Sequence, residues 1–178
     1  MKKIKLLMLG LFTSAVSVYA QDTQSDNHTL TITVPEVAIL DIEGGSSISL
    51  GYTAPVEAGL GVAGASNSDL WLNYSSIKSS INPTRTVSVK LSETVGGADI
   101  KLTTGAYSGS GSGTTGTVTG EITLSTTDQT IVSDIGSCYT GDGVNNGHNL
   151  TYKLDVGGTY ADLEKLTTPV TVTYTISN

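Results

Sequence analysis

The chain has 178 residues, with 9 basic and 16 acidic side chains and a formal net charge of −7. An acidic surface repels phosphate backbones and anionic headgroups, which argues against nucleic acids and charged membranes as partners. Cys138 is the single cysteine, so the chain cannot form an intramolecular disulfide. We expect Cys138 to be a small buried apolar residue, and an intersubunit disulfide or a reactive thiol is the alternative.

The first twenty residues have the pattern of a secretory signal peptide. Three lysines among the first five residues precede an apolar run over residues 6–16, and Ala20 closes a small-residue end. The run is shorter than the about 20 apolar residues that a transmembrane helix needs. Position 21 is Gln rather than Cys, which disfavours a lipoprotein. We predict a signal peptide over residues 1–20, export to the periplasm, cell surface or extracellular space, and no membrane insertion after cleavage.

The predicted mature chain, residues 21–178, is more acidic than the whole. The signal peptide contains three lysines and no acid, which leaves six basic against sixteen acidic residues and a net charge of −10. A chain of about 150 residues buries about 70% of its unfolded surface, enough for one self-sufficient core. We therefore predict a single domain.

Apolar side chains recur at every second position along most of the mature chain, which is the spacing of half-buried β-strands. Threonine fills many of the intervening positions and suits a pleated surface because its branched side chain is stiff. In chain order, the alternating positions are Leu30, Ile32, Val34; Ile48, Leu50; Val87, Val89, Leu91; Ile100, Leu102; Ile122, Leu124; and Val170, Val172, Tyr174, Ile176.

Glycine and asparagine pairs separate these runs and predict turns, because turns that need positive φ favour those residues. Residues 160–166 have helical spacing but are long enough for only one or two turns. Short strands without βαβ alternation predict an all-β fold. We predict an immunoglobulin-like antiparallel β-sandwich, with a closed β-barrel as the alternative. The paired turn residues are Gly44-Gly45, Gly96-Gly97, Asn146-Gly147 and Gly157-Gly158.

Residues 105–120 are rich in Gly, Ser and Thr, and this composition predicts a mobile loop. Within it, residues 111–116 match the glycine pattern of dinucleotide-binding sites. That pattern binds a pyrophosphate only where a helix begins within it, and residues 117–122 instead have strand character. We therefore reject the nucleotide interpretation.

Residues 142–147 partly match a calcium-binding loop, whose first, third and fifth positions need oxygen-bearing side chains. Val144 occupies the third position, so a polar hairpin closed by Asn146-Gly147 is the better interpretation, although calcium binding stays open. Two histidines, His28 and His148, are too few for a zinc site built from histidine alone.

No catalytic motif is present in the sequence. Asp41 and Glu43 share one face of a strand but lack the flanking aromatic cleft of a glycosidase. Cys138 and His148 could act as a catalytic nucleophile and its base only if the fold brings their side chains together. We predict that the chain is not an enzyme and has no catalytic residue, cofactor or metal site.

Trp71 and Asn73 are the best candidates for contact with a ligand or a partner. If alternation buries the neighbouring Leu70, Leu72 and Tyr74, Trp71 and Asn73 face outward, where an indole can stack on a glycan or a protein surface. The opposite phase makes Trp71 the core tryptophan of the sandwich, which is the interpretation that we favour.

Five short segments resemble parts of known secreted domains. Residues 28–35, followed by residues 37–42 and 49–52, resemble the opening of alternate chaperone-usher pilins of the colonisation-factor type. Residues 86–92 are similar to a later strand of those pilins, and residues 169–176 are similar to the closing strand of pilins and of spore-coat U-like domains.

The resemblance implies an exported structural or adhesive surface subunit, of the kind that builds a fimbrium. Its incomplete sandwich would accept an extended strand from a copy of itself or from a related subunit. Leu30, Ile32 and Val34 would be the inserted side chains. The alternatives are that these residues complete their own sandwich, or that the chain is a secreted monomeric carbohydrate-binding module.

Overall fold

The computed structural model describes residues 24–165, 167 and 169–177. The chain divides into two compact units, Met1–Thr33 and Val34–Asn178. The predicted signal peptide and its cleavage site lie outside the described residues. In the first unit, residues 24–33 contain no strand. Over the described residues, no helix is long and apolar enough to cross a membrane.

The second unit contains all the strands that the structure describes and one short 3₁₀ helix, Tyr160–Asp162, where the sequence predicted a helical turn. The strands are β1 (Val37–Glu43), β2 (Tyr52–Thr53), β3 (Ala63–Gly64), β4 (Ser66–Ile77), β5 (Arg85–Leu91), β6 (Ala98–Ser108), β7 (Ser112–Gly113), β8 (Thr117–Val118), β9 (Glu121–Thr123), β10 (Gln129–Ile135), β11 (Cys138–Tyr139), β12 (Gly147–Val156) and β13 (Val172–Ile176).

The larger sheet has seven antiparallel strands built around β4. β1 pairs with residues 71–77 along one edge of β4. Because a strand has only two edges, β12 and β11, which also pair with β4, share the other edge and lie end to end along it. The sheet continues from β12 to β6 and β9, and from β11 to β7.

The second sheet has four antiparallel strands in the order β13-β5-β10-β8, and a small third sheet pairs β2 with β3. None of these sheets closes into a barrel, so the barrel alternative is wrong. The all-β antiparallel prediction is confirmed.

Both larger sheets contribute to one hydrophobic core, which gives the unit a β-sandwich-like architecture. The alternation is clearest in β5, where every second residue from Arg85 to Leu91 is buried. The seven-stranded sheet contributes Leu70, Leu72, Tyr74, Leu102, Cys138, Leu150 and Tyr152, and the four-stranded sheet with its flanking loop contributes Val87, Val89, Leu91, Leu124, Ile131, Val132 and Ile135.

The prediction of a mobile loop over residues 105–120 is wrong. β6 extends to Ser108, β7 pairs with β11 and β8 pairs with β10. Side chains add further ties, because the Tyr107 hydroxyl donates to the carbonyl oxygen of Thr140 at 3.2 Å and accepts from the amide of Gly111 at 2.7 Å. Composition alone missed these contacts because they come from residues distant in sequence.

Arg85 joins four segments at one end of the sandwich. Its side chain is fully buried. Nη1 donates to the carbonyl oxygen of Ser177 at 2.8 Å, and Nη2 donates to Oε1 of Glu36 at 2.6 Å and to the carbonyl oxygen of Ile77 at 3.4 Å. A buried guanidinium needs such partners to offset its desolvation. The contacts therefore fix the start of β1 beside the ends of β4 and β13.

We expect Arg85→Ala to lower the free energy of unfolding by about 3 kcal/mol, because it leaves a cavity and buried carbonyl groups without donors. Lys90→Ala is the matched control on the same strand, since the Lys90–Asp128 ion pair is exposed and removing it should cost less than about 0.5 kcal/mol. Urea unfolding measures both changes. Equal midpoints for the two variants would contradict the role given to Arg85.

Candidate functional site

The sandwich has two lateral edges, and the chain itself crosses one of them. Only Thr119 and Gly120 separate β8 in the four-stranded sheet from β9 in the seven-stranded sheet. The Thr119 amide and hydroxyl donate to the carbonyl oxygens of Ile131 and Thr130 at 3.0 and 3.1 Å. The crossing connects the two sheets at this edge.

No strand closes the other edge in the described part of the chain. β1 and β13 lie next to each other there, one at the margin of each sheet. Among the described strands, β1 pairs only with β4, and β13 pairs only with β5. Each therefore presents a row of unpaired backbone donors and acceptors, which is a template for a further strand. We call this region the open edge.

The inward side chains of the open edge are incompletely covered. On β13, Val172, Tyr174 and Ile176 are half-buried, although each is paired with a residue of β5 that is at most 3% exposed. On β1, Leu40 and Ile42 are also half-buried while they pack on the core. The apolar layer between the sheets thus reaches solvent at this edge.

Hydrogen bonds to β5 and its flanking residues hold the backbone of β13 along its inner side. Beyond the ladder itself, the Ser92 amide donates to the carbonyl oxygen of Thr171 at 2.8 Å, and the Ser177 amide donates to that of Thr86 at 2.9 Å. The hydroxyls of Ser92 and Ser177 accept from the amides of Thr171 and Thr86. These bonds hold one side of the open edge in extended conformation.

Leu30, Ile32 and Val34, the predicted inserted residues, are highly exposed. Their relative exposures are 74%, 77% and 67%. The sequence predicted a strand here, but residues 24–36 form none. An alternating segment becomes a strand only where a partner satisfies its backbone groups, and among the described residues no ladder includes this segment.

Glu36 lies where the sandwich begins, directly after Pro35 and residues 28–34, which we call the extension. Besides its ion pair with Arg85, its carboxylate accepts from Nδ2 of Asn82 at 3.2 Å. The hydrogen bond from Asn82, together with the contact with Arg85, lowers the pKa of Glu36 below its ordinary value of 4.5. The ionised form is therefore the one that the folded state favours.

This shift predicts a pH dependence of stability. A carboxyl group with a lowered pKa in the folded state stabilises that state above its unfolded pKa, and the contribution is lost as the pH falls through the folded pKa. We expect the wild-type protein to lose stability relative to Glu36→Gln as the pH decreases below about 4.5. Urea midpoints between pH 7 and pH 3 measure the difference. A constant difference over that range would contradict the assignment.

Trp71 lies on the outer face of the larger sheet. Leu70, Leu72 and Tyr74 are buried in the core, whereas Trp71 is half-buried and is not part of it. The core interpretation that we favoured for Trp71 is therefore wrong, because β4 has the opposite phase. Its direct cross-strand neighbours are Glu43 on β1 and Asn149 on β12.

Asn73, the second candidate contact residue, is not available on that face. It is 6% exposed, and its Nδ2 donates to the carbonyl oxygen of Gly143 at 3.0 Å. The loop between β11 and β12 therefore covers the side chain. The structure leaves Trp71 accessible and removes Asn73 from the surface.

Residues 142–146 lie in the connection between β11 and β12, and Gly147 is the first residue of β12. These strands pair with β4 rather than with each other, so the hairpin prediction is wrong. The Asn146 side chain organises the loop: Nδ2 donates to the carbonyl oxygen of Asp142 at 2.8 Å, and Oδ1 accepts from the amide of Ser110 at 3.1 Å. Within the described residues, no group of three or more His, Cys, Asp or Glu side chains could hold a metal ion.

His148 belongs to a buried polar network. Its Nδ1 lies 2.9 Å from the carbonyl oxygen of Gly105, and its Nε2 lies 2.8 Å from the hydroxyl of Tyr74, which also contacts the carbonyl oxygen of Thr115. Burial lowers the pKa of His148 and raises that of the Cys138 thiol. Cys138 is 8% exposed and packs in the core, as the sequence predicted.

No protein-family model, curated protein or solved structure matches this chain.

Proposed function

We propose that the chain is an exported, pilin-like structural or adhesive subunit with an immunoglobulin-like sandwich that lacks one edge strand. Residues 28–34 of one copy fill the open edge of another copy. The observation that carries this proposal is that two incompletely buried surfaces match in character. The open edge has apolar side chains that are only half-buried, and the extension has alternating apolar side chains that are exposed.

The spacing of the extension fits the spacing of the open edge. Alternate residues of a strand are about 6.8 Å apart, so three inserted side chains match three inward positions on a facing strand. The extension supplies Leu30, Ile32 and Val34. The inward positions are Val172, Tyr174 and Ile176 on β13 and Ala38, Leu40 and Ile42 on β1.

The alternating threonines support the same arrangement. When the apolar residues of the extension face the core, Thr29, Thr31 and Thr33 face solvent, which suits the outer surface of an added strand. The backbone of the extension would pair with the free edge of β13 or β1, as in other cases where a peptide adds a strand to a sheet.

Pro35 and Glu36 oppose insertion of the extension into its own sandwich. To run back along β1, the chain would have to reverse at these two residues. The two-residue turns of hairpins need positive φ at their first position, whereas proline fixes φ near −65°. A longer turn would use Val34 and remove one of the three inserted side chains. Glu36 is also held by Arg85. Donation to another copy keeps all three.

The first test is the substitution Ile32→Asp, which places a charge where an apolar side chain is to be buried. We expect the wild-type protein to form concentration-dependent multimers and Ile32→Asp to reduce them at least tenfold. Thr31→Asp, on the outward face, is the matched control and should assemble like the wild type. Size-exclusion chromatography with light scattering measures the masses. A monomeric wild type, or equal loss in both variants, would contradict donation.

A synthetic peptide provides a second test of the open edge as a binding site. The peptide replaces the donated strand, so the extension of the protein that receives it plays no part. We expect a synthetic peptide of residues 27–35 to raise the melting temperature of the full-length Ile32→Asp protein, because a ligand that binds only the folded state stabilises it. The same peptide with Asp at position 32 is the control. If both peptides or neither raised the melting temperature, the open edge would not be the binding site.

Carbohydrate binding is a second candidate function, favoured by the position of Trp71. The half-buried indole lies on an outer sheet face beside the carboxylate of Glu43, a combination that can stack on a sugar ring and accept hydrogen bonds from its hydroxyls. An adhesive subunit could use this face while the open edge is filled.

Under this second function, we expect glycan-array binding that Trp71→Ala abolishes and Trp71→Phe partly retains, with unchanged assembly. Tyr139→Ala is the control, since Tyr139 is an exposed aromatic residue elsewhere on the larger sheet. Absence of glycan signal for the wild type, or equal signal for Trp71→Ala, would reject a glycan site at Trp71.

A further inference from the structure

Acidic side chains surround Trp71 on the outer face of the larger sheet. Glu43 is its direct cross-strand neighbour, and Asp41 lies opposite Asn73, the next outward position on β4. Asp69 is exposed and lies two residues before Trp71. Directly opposite side chains are about 5 Å apart and diagonal ones about 7–8 Å, so a ligand on the indole is within reach of these carboxylates. We call Trp71 together with Asp41, Glu43 and Asp69 the acidic site.

No basic residue neutralises the acidic site in the described part of the chain. None of its three carboxylates belongs to an ion pair there. The lysines in the strands of the larger sheet are paired elsewhere: Nζ of Lys101 lies 2.7 Å from Oδ2 of Asp155, and Nζ of Lys153 lies 2.9 Å from its Oδ1. Lys153 is the cross-strand partner of Ser66, about 17 Å along β4 from Trp71.

The amide side chains next to Trp71 have their donors occupied. Nδ2 of Asn149, the cross-strand neighbour on β12, donates to the carbonyl oxygen of Ser68 at 2.8 Å. Nδ2 of Asn73 donates to the carbonyl oxygen of Gly143, and its buried Oδ1 has no hydrogen-bond partner among the described residues. The side chains around the indole therefore offer acceptors, and a ligand has to supply the donors.

The excess of acceptors and negative charge selects among the sugars that could stack on the indole. An acidic sugar would be repelled, because its carboxylate or sulfate groups have the same charge as the site. The hydroxyls of a neutral sugar can donate, but without a charge. An ammonium group supplies three donors and a positive charge, and hydrogen bonds between charged groups are about twice as strong as neutral ones. A cation is also attracted to the face of an indole.

We propose that the acidic site binds a glycan of amino sugars whose amino groups are free, such as a glucosamine oligosaccharide. The indole of Trp71 stacks on one sugar ring, and the carboxylates of Glu43 and Asp41 accept hydrogen bonds from the ammonium groups. This inference rests on carbohydrate binding at Trp71, the second candidate function, and it does not depend on strand donation. It defines the charge of the glycan that the site selects.

Two oligosaccharides of equal length isolate the contribution of the amino groups. The hexasaccharides of glucosamine and of N-acetylglucosamine have the same linkage, but only the first is charged. Aspartate and glutamate side chains are ionised at about pH 6, and sugar amines are mostly protonated there. Isothermal titration calorimetry of the full-length protein with each compound, in about 0.15 M salt to screen distant charges, measures the two affinities.

We expect the glucosamine hexasaccharide to bind about tenfold more tightly than its N-acetylated counterpart, a difference of about 1.4 kcal/mol. Trp71→Ala and Glu43→Gln should each weaken its binding at least fivefold. Glu57→Gln is the charge-matched control, because Glu57 is exposed in the loop between β2 and β3, away from the indole. This variant should bind like the wild type.

The other outcomes overturn the proposal in distinguishable ways. Equal or tighter binding of the N-acetylated compound that requires Trp71 would reject the amino-sugar ligand and leave carbohydrate binding intact. Binding of neither compound would reject the amino-sugar ligand, and the glycan array would then decide the fate of carbohydrate binding itself. Equal losses in Glu43→Gln and Glu57→Gln would show general attraction to an acidic protein.

A lysine hexapeptide distinguishes a sugar from a basic polypeptide. It carries ammonium groups but no sugar ring that could stack on Trp71. We expect it to bind at least tenfold more weakly than the glucosamine hexasaccharide under the same conditions. Equal affinity that Glu43→Gln reduces would overturn the proposal in favour of a basic polypeptide as the partner of this face.

Discussion

An edge strand leaves half of its backbone hydrogen-bonding groups without partners, and in this protein two such strands, β1 and β13, lie side by side. Natural sheets usually protect such edges. Here the inward side chains of β13 are also only half-buried, while their partners on β5 are at most 3% exposed. The free ladders and the incompletely covered core side chains thus coincide at one edge of the sandwich.

Arg85 connects the open edge to Glu36, the residue near which the extension ends and the sandwich begins. By binding Glu36 and the carbonyl oxygen of Ser177, it holds the first residues of β1 and the last residues of β13 at one end of the sandwich. Pro35 immediately precedes this anchor. The extension therefore starts from a fixed position, with a turn that is unfavourable for folding back on β1. Under the proposed donation, Pro35 and the ion pair of Glu36 disfavour self-completion.

The sequence predicted β5, β6 and β13 with their inward faces, because alternation such as that of Val87, Val89 and Leu91 depends only on local spacing. It also predicted strands at residues 30–34 and 48–50, which form none. It failed where long-range pairing decides the outcome. Glycine-rich residues 105–120 are ordered by β11 and Tyr107, and the phase of β4 places Trp71 outward. The open edge could not be predicted from local pattern either, since it depends on which strands are neighbours in space.

Amide hydrogen exchange of the assembled protein tests the central claim most directly. The account predicts that assembly slows exchange at residues 30–34 and along β13, while exchange at the crossed edge near β8 and β9 does not change. Slower exchange both at residues 30–34 and along β13 is the result expected if the extension occupies the open edge. Multimers in which residues 30–34 still exchange at the rate of an unstructured chain would contradict the account.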